Sequence, residues 1–145
     1  MRFVDNGDGT VTDTQTRLMW EKKDDASGLH DLDNTYTWND AMSVFVAEVN
    51  GVSSNGTVQP GLAGYSDWRM PNTAELQTIL LAPYPCATSP CIDPIFGPTA
   101  ANLHWSSTRD TTHPTFSWGV FFDNGLVEHD SWVKGYPARA VRGGP

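Results

Sequence analysis

The side chains best suited to binding chemistry are concentrated late in the chain, between residues 105 and 137. The segment Arg109–Phe116 combines a cation, a carboxylate, an imidazole and an aromatic ring, and the segment 118–132 mixes acids with aromatic residues. Rigid rings beside short polar groups are typical of recognition surfaces, because a ring buries a large area at little entropic cost. We call residues 105–137 the C-terminal surface. Its predicted ligand-contacting residues are Arg109, Asp110, His113, Phe116, Phe121, Asp123, Leu126, Glu128, Asp130, Trp132 and Tyr136.

The other chemistry-bearing patterns do not favour catalysis. The histidines at positions 30, 104, 113 and 129 do not have the spacing of zinc ligands. The sequence contains no Gly-x-Ser-x-Gly motif and no phosphate-binding glycine loop before a helix. We therefore predict no enzyme activity, no cofactor and no metal site. A catalytic pair of carboxylates remains an open alternative, because Asp and Glu are numerous.

Calcium binding by the segment Asp5–Gly9 is also disfavoured. The segment begins like a calcium loop, but Gly7 and Gly9 occupy positions that would have to supply ligand oxygens. A turn between two strands accounts for the same residues.

Cys86 and Cys91 lie close together in a loop bounded by prolines. We predict a disulfide between them, because neither cysteine has a partner at zinc-ligand spacing. Two free thiols in a reducing compartment are the alternative. The disulfide would favour an oxidising compartment.

A β-hairpin is predicted to position the C-terminal surface, because Asn124-Gly125 is the strongest short turn signal in the sequence. A two-residue turn there places one set of hairpin side chains on the side away from the core, namely Phe121, Asp123, Leu126, Glu128, Asp130 and Trp132. The cross-strand pairs predicted on the core side are Phe122–Val127, Val120–His129 and Trp118–Ser131. Alternatively, the apolar members of the outer side, Phe121, Leu126 and Trp132, pack under a loop or a neighbouring subunit.

The preceding chain predicts short strands and two helices. Residues 3–20 are typical of strands separated by turns, and residues 21–35 are typical of a loop. Thr37 begins a helix that ends at Asn50-Gly51. Asn72 caps a second helix, which the prolines at positions 83 and 85 stop.

A last strand is predicted over residues 138–141, and five tryptophans are assigned to the core. Residues 1–145 are thus predicted to form one α+β domain, with two helices packed on small antiparallel sheets and long loops. The core tryptophans are Trp20, Trp38, Trp68, Trp105 and Trp118.

Composition restricts the partners. The chain of 145 residues has a net charge of −8, and its one pair of adjacent basic residues, Lys22-Lys23, is followed by two acids. Nucleic-acid binding is therefore not expected. No apolar run approaches the roughly 20 residues that span a bilayer, so we predict no membrane insertion.

No signal peptide is visible, so an exported chain would have lost its leader or belong to a longer protein.

Several short motifs carry a family resemblance. The motifs, in chain order, are Gly7–Asp13, Leu18–Trp20, Trp38–Ala41, Gly64–Pro71, Trp105–Thr108 and Arg139–Gly144. Together they resemble the Lcl C-terminal-like domain family, which occurs in collagen-like bacterial adhesins. Arg17 and Asn72 are mild departures, since the family usually has Gly and Thr at these positions.

The resemblance implies a C-type-lectin-like fold. Relatives of that superfamily include glycan-binding adhesins, formylglycine-generating enzymes and the variable proteins of diversity-generating retroelements. For this chain, the resemblance implies a non-catalytic module that binds a surface glycan or a protein and is displayed extracellularly or on a cell or phage surface. The mixed residues of Glu128–Trp132 resemble a diversified variable face.

Two alternatives from other classes remain. One is an enzyme of the formylglycine-generating type, although Cys86 and Cys91 do not match the cysteine arrangement of those enzymes. The other is a structural domain of a surface adhesin, in which a homo-oligomer buries the aromatic side of the hairpin.

Overall fold

The computed structural model describes residues 1–143 and confirms the α+β class, with two small antiparallel sheets and few helices. One sheet has the strand order β1-β2-β3-β7, and the other has the order β4-β5-β6. The strands are β1 (Phe3–Asp5), β2 (Thr10–Asp13), β3 (Leu18–Glu21), β4 (Leu103–Arg109), β5 (Phe116–Phe121), β6 (Val127–Ser131) and β7 (Val141–Gly143).

The four-stranded sheet contains the first three strands and the last one. The predicted turn at Asp5–Gly9 is confirmed, because Asp5 accepts the Gly7 N–H at 3.0 Å and Asp8 accepts the Thr10 N–H at 3.1 Å. The closing strand lies later than predicted. Its pairing with β3 begins only at Val141, although Ala138 and Ala140 are already buried.

The first helix begins where the sequence predicts. It runs through the segments Trp38–Asp40, Ala41–Phe45 and Val46–Val49, the middle one being a π-helical turn. The Thr37 hydroxyl accepts the Asp40 N–H at 3.4 Å. Gly51, with a φ of +92°, follows the helix in the left-handed conformation that glycine tolerates.

The second helix, Thr73–Gln77, has the predicted capping box but is shorter than predicted. The Asn72 side chain accepts the Glu75 N–H at 2.7 Å, and Glu75 accepts the Asn72 N–H at 3.0 Å. After the helix, Leu80 forms a bridge with Ile92. The chain has therefore left the helix before the prolines are reached.

Two hydrophobic clusters form the core. The first lies between the four-stranded sheet, the second helix and the turn end of the hairpin, and the second surrounds the first helix. The first contains Val11, Leu18, Trp20, Leu76, Ile79, Ile92, Phe96, Val120, Phe122 and Val141. The second contains Trp38, Ala41, Phe45, Val49, Trp68, Met70, Trp105, Ala138 and Ala140. Four of the five predicted core tryptophans are buried, but Trp118 is only half-buried.

A buried polar network links β3 to the segment before β7. The carboxylate of Glu21 lies 3.1 Å from the Lys23 ammonium and 2.5 Å from His30 Nδ1, and it accepts the Ala140 N–H at 3.0 Å. The Arg139 guanidinium donates to the Glu21 carbonyl at 2.7 Å. Burial alone would raise the pKa of Glu21, but the Lys23 and His30 contacts lower it to about 2.

No helix within residues 1–143 has the length and apolar character needed to cross a bilayer.

Candidate functional site

The hairpin exists, but its predicted register is wrong by two residues. Val120 pairs with Val127, and Trp118 pairs with His129. The turn is wider than two residues, because the Phe121 N–H donates to the Leu126 carbonyl at 2.8 Å. A shift of two keeps every side chain on its expected side of the strand but changes its cross-strand neighbour. His129 therefore lies opposite a tryptophan.

The loop after β4 is organised by Asp110. One carboxylate oxygen, Oδ1, accepts the backbone N–H of Thr112 at 2.9 Å and its hydroxyl at 2.7 Å. The Asp110 N–H donates to the Phe116 carbonyl at 3.1 Å. The Asp110 side chain is only 5% exposed, so this carboxylate is nearly buried inside its own loop.

Two imidazoles converge on the second carboxylate oxygen of Asp110. Nδ1 of His129 donates to Oδ2 at 2.5 Å, and Nδ1 of His113 donates to it at 3.1 Å. The hydrogen bonds from His129 and Thr112 hold the pKa of the Asp110 carboxyl well below its usual range. Asp110, His113 and His129 are grouped closely enough that one ligand atom from each lies within 4.8 Å of the others.

Aromatic rings surround these imidazoles. His129 stacks on Trp118 with centroids 4.9 Å apart and planes 20° apart, and it meets the edge of Phe116 at 5.2 Å. His113 contacts both Phe116 and His129. All four side chains are partly or fully accessible to solvent. The side of the hairpin that is predicted to face the core therefore carries an accessible aromatic group next to the loop after β4.

The opposite side of the sheet carries Trp132, which is half-buried. Its ring stacks on Trp38 with centroids 4.8 Å apart, and its Nε1–H donates to the Ser117 hydroxyl at 2.7 Å. The exposed Arg109 guanidinium lies 5.3 Å from the Trp132 ring. Part of the Trp132 ring thus packs against the first helix of the same chain, and not under a loop or a neighbouring subunit as the alternative proposed.

Asp130 and Tyr136 form a pair beside Trp132. The Tyr136 hydroxyl donates to the Asp130 carboxylate, and the Tyr136 ring packs edge-on against buried Trp105. Glu128 lies on the same side of the hairpin and its side chain is 48% exposed. We call residues 109–118 and 128–136 the loop end of the C-terminal surface.

The other predicted site residues lie at the hairpin tip, residues 121–126. The strand from Phe116 to Phe121 separates the tip from the loop by about 17 Å. The Asp123 carboxylate accepts the Ser89 hydroxyl at 2.7 Å. Leu126 lines a separate cavity of about 600 Å³ with Leu81 and other residues. The predicted site residues therefore do not form one patch.

The tip is attached to the loop that contains the two cysteines. The structure joins Cys86 and Cys91 in a disulfide. The Cys91 N–H donates to the Phe122 carbonyl at 2.7 Å, and the Cys86 N–H donates to the Asn124 carbonyl at 2.8 Å. The cysteine loop thus supports the hairpin from outside the sheet.

Comparison with known protein families identifies the chain. A family model described as the Lcl C-terminal domain matches residues 9–142. The chain belongs to this family. No curated protein matches the sequence closely enough to be reported as a relative. Both the loop end and the tip lie within the matched part of this Lcl C-terminal domain.

Sequence reasoning missed one feature of the Lcl C-terminal domain, the convergence of Asp110, His113 and His129. The spacing between Asp110 and His113 is a weak local signal. His129 joins them only because β6 pairs with β5 in the observed register. A correct register prediction, with Trp118 opposite His129, would have placed His129 beside the loop.

Proposed function

We propose that this Lcl C-terminal domain is a non-catalytic recognition module that binds a surface glycan or a protein through the loop end. The observation that supports this most strongly is the accessible aromatic group formed by His113, Phe116, Trp118 and His129. These rings are held by strand pairing and by Asp110, so little conformational freedom is lost when a ligand covers them.

Polar groups beside the rings supply hydrogen bonds. The Glu128 carboxylate comes from the other face of the edge strand β6 but lies 3.9 Å from His129 Nε2. Arg109 and Asp130 lie on that other face with Trp132, so a ligand contacts both groups of residues by covering the β6 edge. Aromatic faces next to carboxylates suit sugar rings and the side chains of partner proteins. Phe121, Asp123 and Leu126 lie at the tip, and the proposed contact surface does not include them.

Charge narrows the class of ligand. The net charge of −8 disfavours polyanions such as sulfated glycans. A neutral glycan or a protein surface is a better match for this acidic domain. We further propose that the domain acts outside the cytoplasm, and the disulfide supports this because such bonds persist in oxidising compartments.

The test is binding of the folded chain to arrays of neutral glycans, sulfated glycans and proteins. We expect wild type to bind a neutral glycan or a protein, and Phe116→Ala and Glu128→Ala each to weaken that interaction by about tenfold or more. Tyr84→Ala and Asp25→Ala are the matched controls, because each removes an exposed ring or acid outside the loop end.

Three outcomes would contradict the proposal. One is the absence of any specific ligand, and another is equal weakening by the control variants. The third is a stable oligomer in light scattering that Phe116→Asp dissociates, since this would assign the aromatic group to assembly. Thermal unfolding of each variant checks that the fold is retained.

A further inference from the structure

The structure places a carboxylate and two imidazoles from different parts of the chain around one point. Asp110 follows β4, His113 lies in the loop and His129 lies on β6. Both Nδ1 atoms are directed at the same oxygen, Oδ2 of Asp110. We propose that Asp110, His113 and His129 bind one divalent transition-metal ion of the zinc type. This site does not depend on the recognition function proposed above.

The donor set selects the class of ion. Imidazole nitrogen with carboxylate oxygen suits Zn²⁺, Cu²⁺ or Ni²⁺, whereas Mg²⁺ and Ca²⁺ prefer oxygen ligands alone. Tetrahedral zinc ligands about 2.0–2.1 Å from the ion lie about 3.3 Å from one another. The distance of 3.1 Å between Asp110 Oδ2 and His113 Nδ1 is close to that value. The shorter His129 contact needs an opening of somewhat less than 1 Å.

The carboxylate is oriented before any ion arrives. The Thr112 backbone N–H and hydroxyl hold Oδ1, which leaves Oδ2 directed at the two imidazoles. The ring of His129 is fixed by its stack on Trp118. Groups that orient metal ligands in this way raise the affinity of a site, because the ligands lose less freedom on binding.

Electrostatics also favour a cation here. Among residues 1–143, the salt-bridge partners of Asp110 are His113 and His129, and neither is a permanent cation. The neighbouring Arg109 guanidinium lies over the Trp132 ring instead. A carboxylate that is covered by its own loop and lacks Lys or Arg as a partner gains from a divalent ion.

Access and proton balance are compatible with binding. The side chains of His113 and His129 are 55% and 28% exposed, so water can reach the ion and complete its coordination. A neutral histidine that gives up its proton at Nδ1 can carry it at Nε2. Binding therefore requires no net loss of protons from neutral imidazoles.

Isothermal titration of the chelator-treated full chain with ZnCl₂ tests the site directly. We expect one ion per chain for wild type, and affinity reduced by at least about tenfold in His113→Gln and in His129→Gln. His30→Gln is the matched control. His30 also contacts a carboxylate, that of Glu21, but it is not part of the grouped ligand set, so its substitution leaves zinc binding unchanged.

A second measurement covers the case in which His129→Gln disturbs the fold. NMR of wild type should show zinc-dependent shifts of the imidazole signals of His113 and His129, without shifts at buried His104. The proposal is overturned by the absence of zinc binding, by undiminished binding in His113→Gln, or by Mg²⁺ binding as tightly as Zn²⁺.

Discussion

Glu21 and Asp110 are both nearly buried carboxylates, but their surroundings differ. Glu21 contacts a buried lysine, Lys23, and lies in a network that also includes the fully buried Arg139. Asp110 has imidazoles and a threonine as its side-chain partners. A carboxylate paired with a permanent cation mainly supports the fold, whereas a carboxylate facing two accessible imidazoles retains the capacity to bind something else.

The role of Glu21 in the fold can be tested by Glu21→Gln. The substitution leaves the Lys23 ammonium, which is 3% exposed, without its counter-charge. We expect the free energy of unfolding to fall by about 3–5 kcal/mol. Urea denaturation measures this, with Glu128→Gln as the control because its carboxylate is exposed. A loss below about 1 kcal/mol would show that Lys23 finds another partner or loses its proton.

At the scale of elements, the two hairpin strands and β4 carry the loop end, and their close approach depends on one glycine. Gly119 lies opposite Trp105 on β4 and Glu128 on β6. A Cβ at Gly119 would lie 2.5 Å from the His104 carbonyl oxygen and 2.9 Å from the Leu103 side chain. Both contacts are too short, and the first involves backbone that cannot easily move.

Gly119→Ala is therefore expected to destabilise the protein by about 1–3 kcal/mol. The matched control is Gly28→Ala, because a Cβ at Gly28 meets no atom of residues 1–143 within 4 Å and its φ is not positive. Urea denaturation of both variants is the measurement. Equal stability of the two variants would mean that β4 and β5 can move apart without cost.

Sequence reasoning was most successful for elements defined by local signals. The capping box at Asn72–Glu75, the Thr37 cap and the turn at Asp5–Gly9 were all predictable, because side chains bond to backbone groups two or three residues away. The end of the second helix was not predictable. The chain after the helix forms the bridge between Leu80 and Ile92, and neither residue carries a local signal for that pairing.

The hairpin shows why the candidate site was only partly predictable. The signal at Asn124-Gly125 located the turn but did not fix the turn type and hence the register. The carbonyl groups of Phe122 and Asn124 in the wider turn accept N–H groups from the cysteine loop, and no local sequence signal predicts these contacts. In the observed register, His129 pairs with Trp118 and reaches Asp110.

At the scale of the whole molecule, stability should depend on pH through groups that stay unprotonated when buried. His104 is 1% exposed, and burial, together with the charge of Arg139, lowers its pKa to about 3. In the unfolded chain a histidine has a pKa of about 6.5. Between these values only the unfolded state binds the proton, so the free energy of unfolding decreases as the pH falls below about 6.5.

We expect this decrease to reach at most about 1.4 kcal/mol per pH unit from His104. Glu21, with its pKa lowered to about 2, adds to the loss only below its unfolded value of about 4.3. Urea denaturation between pH 4.5 and 7.5 avoids the range in which Glu21 contributes, and comparison with His104→Leu separates His104 from the three other histidines. His104→Leu should give a shallower slope than wild type, whatever its absolute stability. Parallel slopes would show that the pKa of His104 is not depressed in the folded state.

The position of β6 at the edge of the three-stranded sheet has a consequence for solubility. An edge strand can pair with the edge of another molecule and so start aggregation. Glu128 and Asp130 alternate along β6, and two copies aligned edge to edge would bring these like charges together. We therefore expect these two acids to hinder edge-to-edge pairing, and neutral replacements at both positions to leave the edge less protected at high concentration.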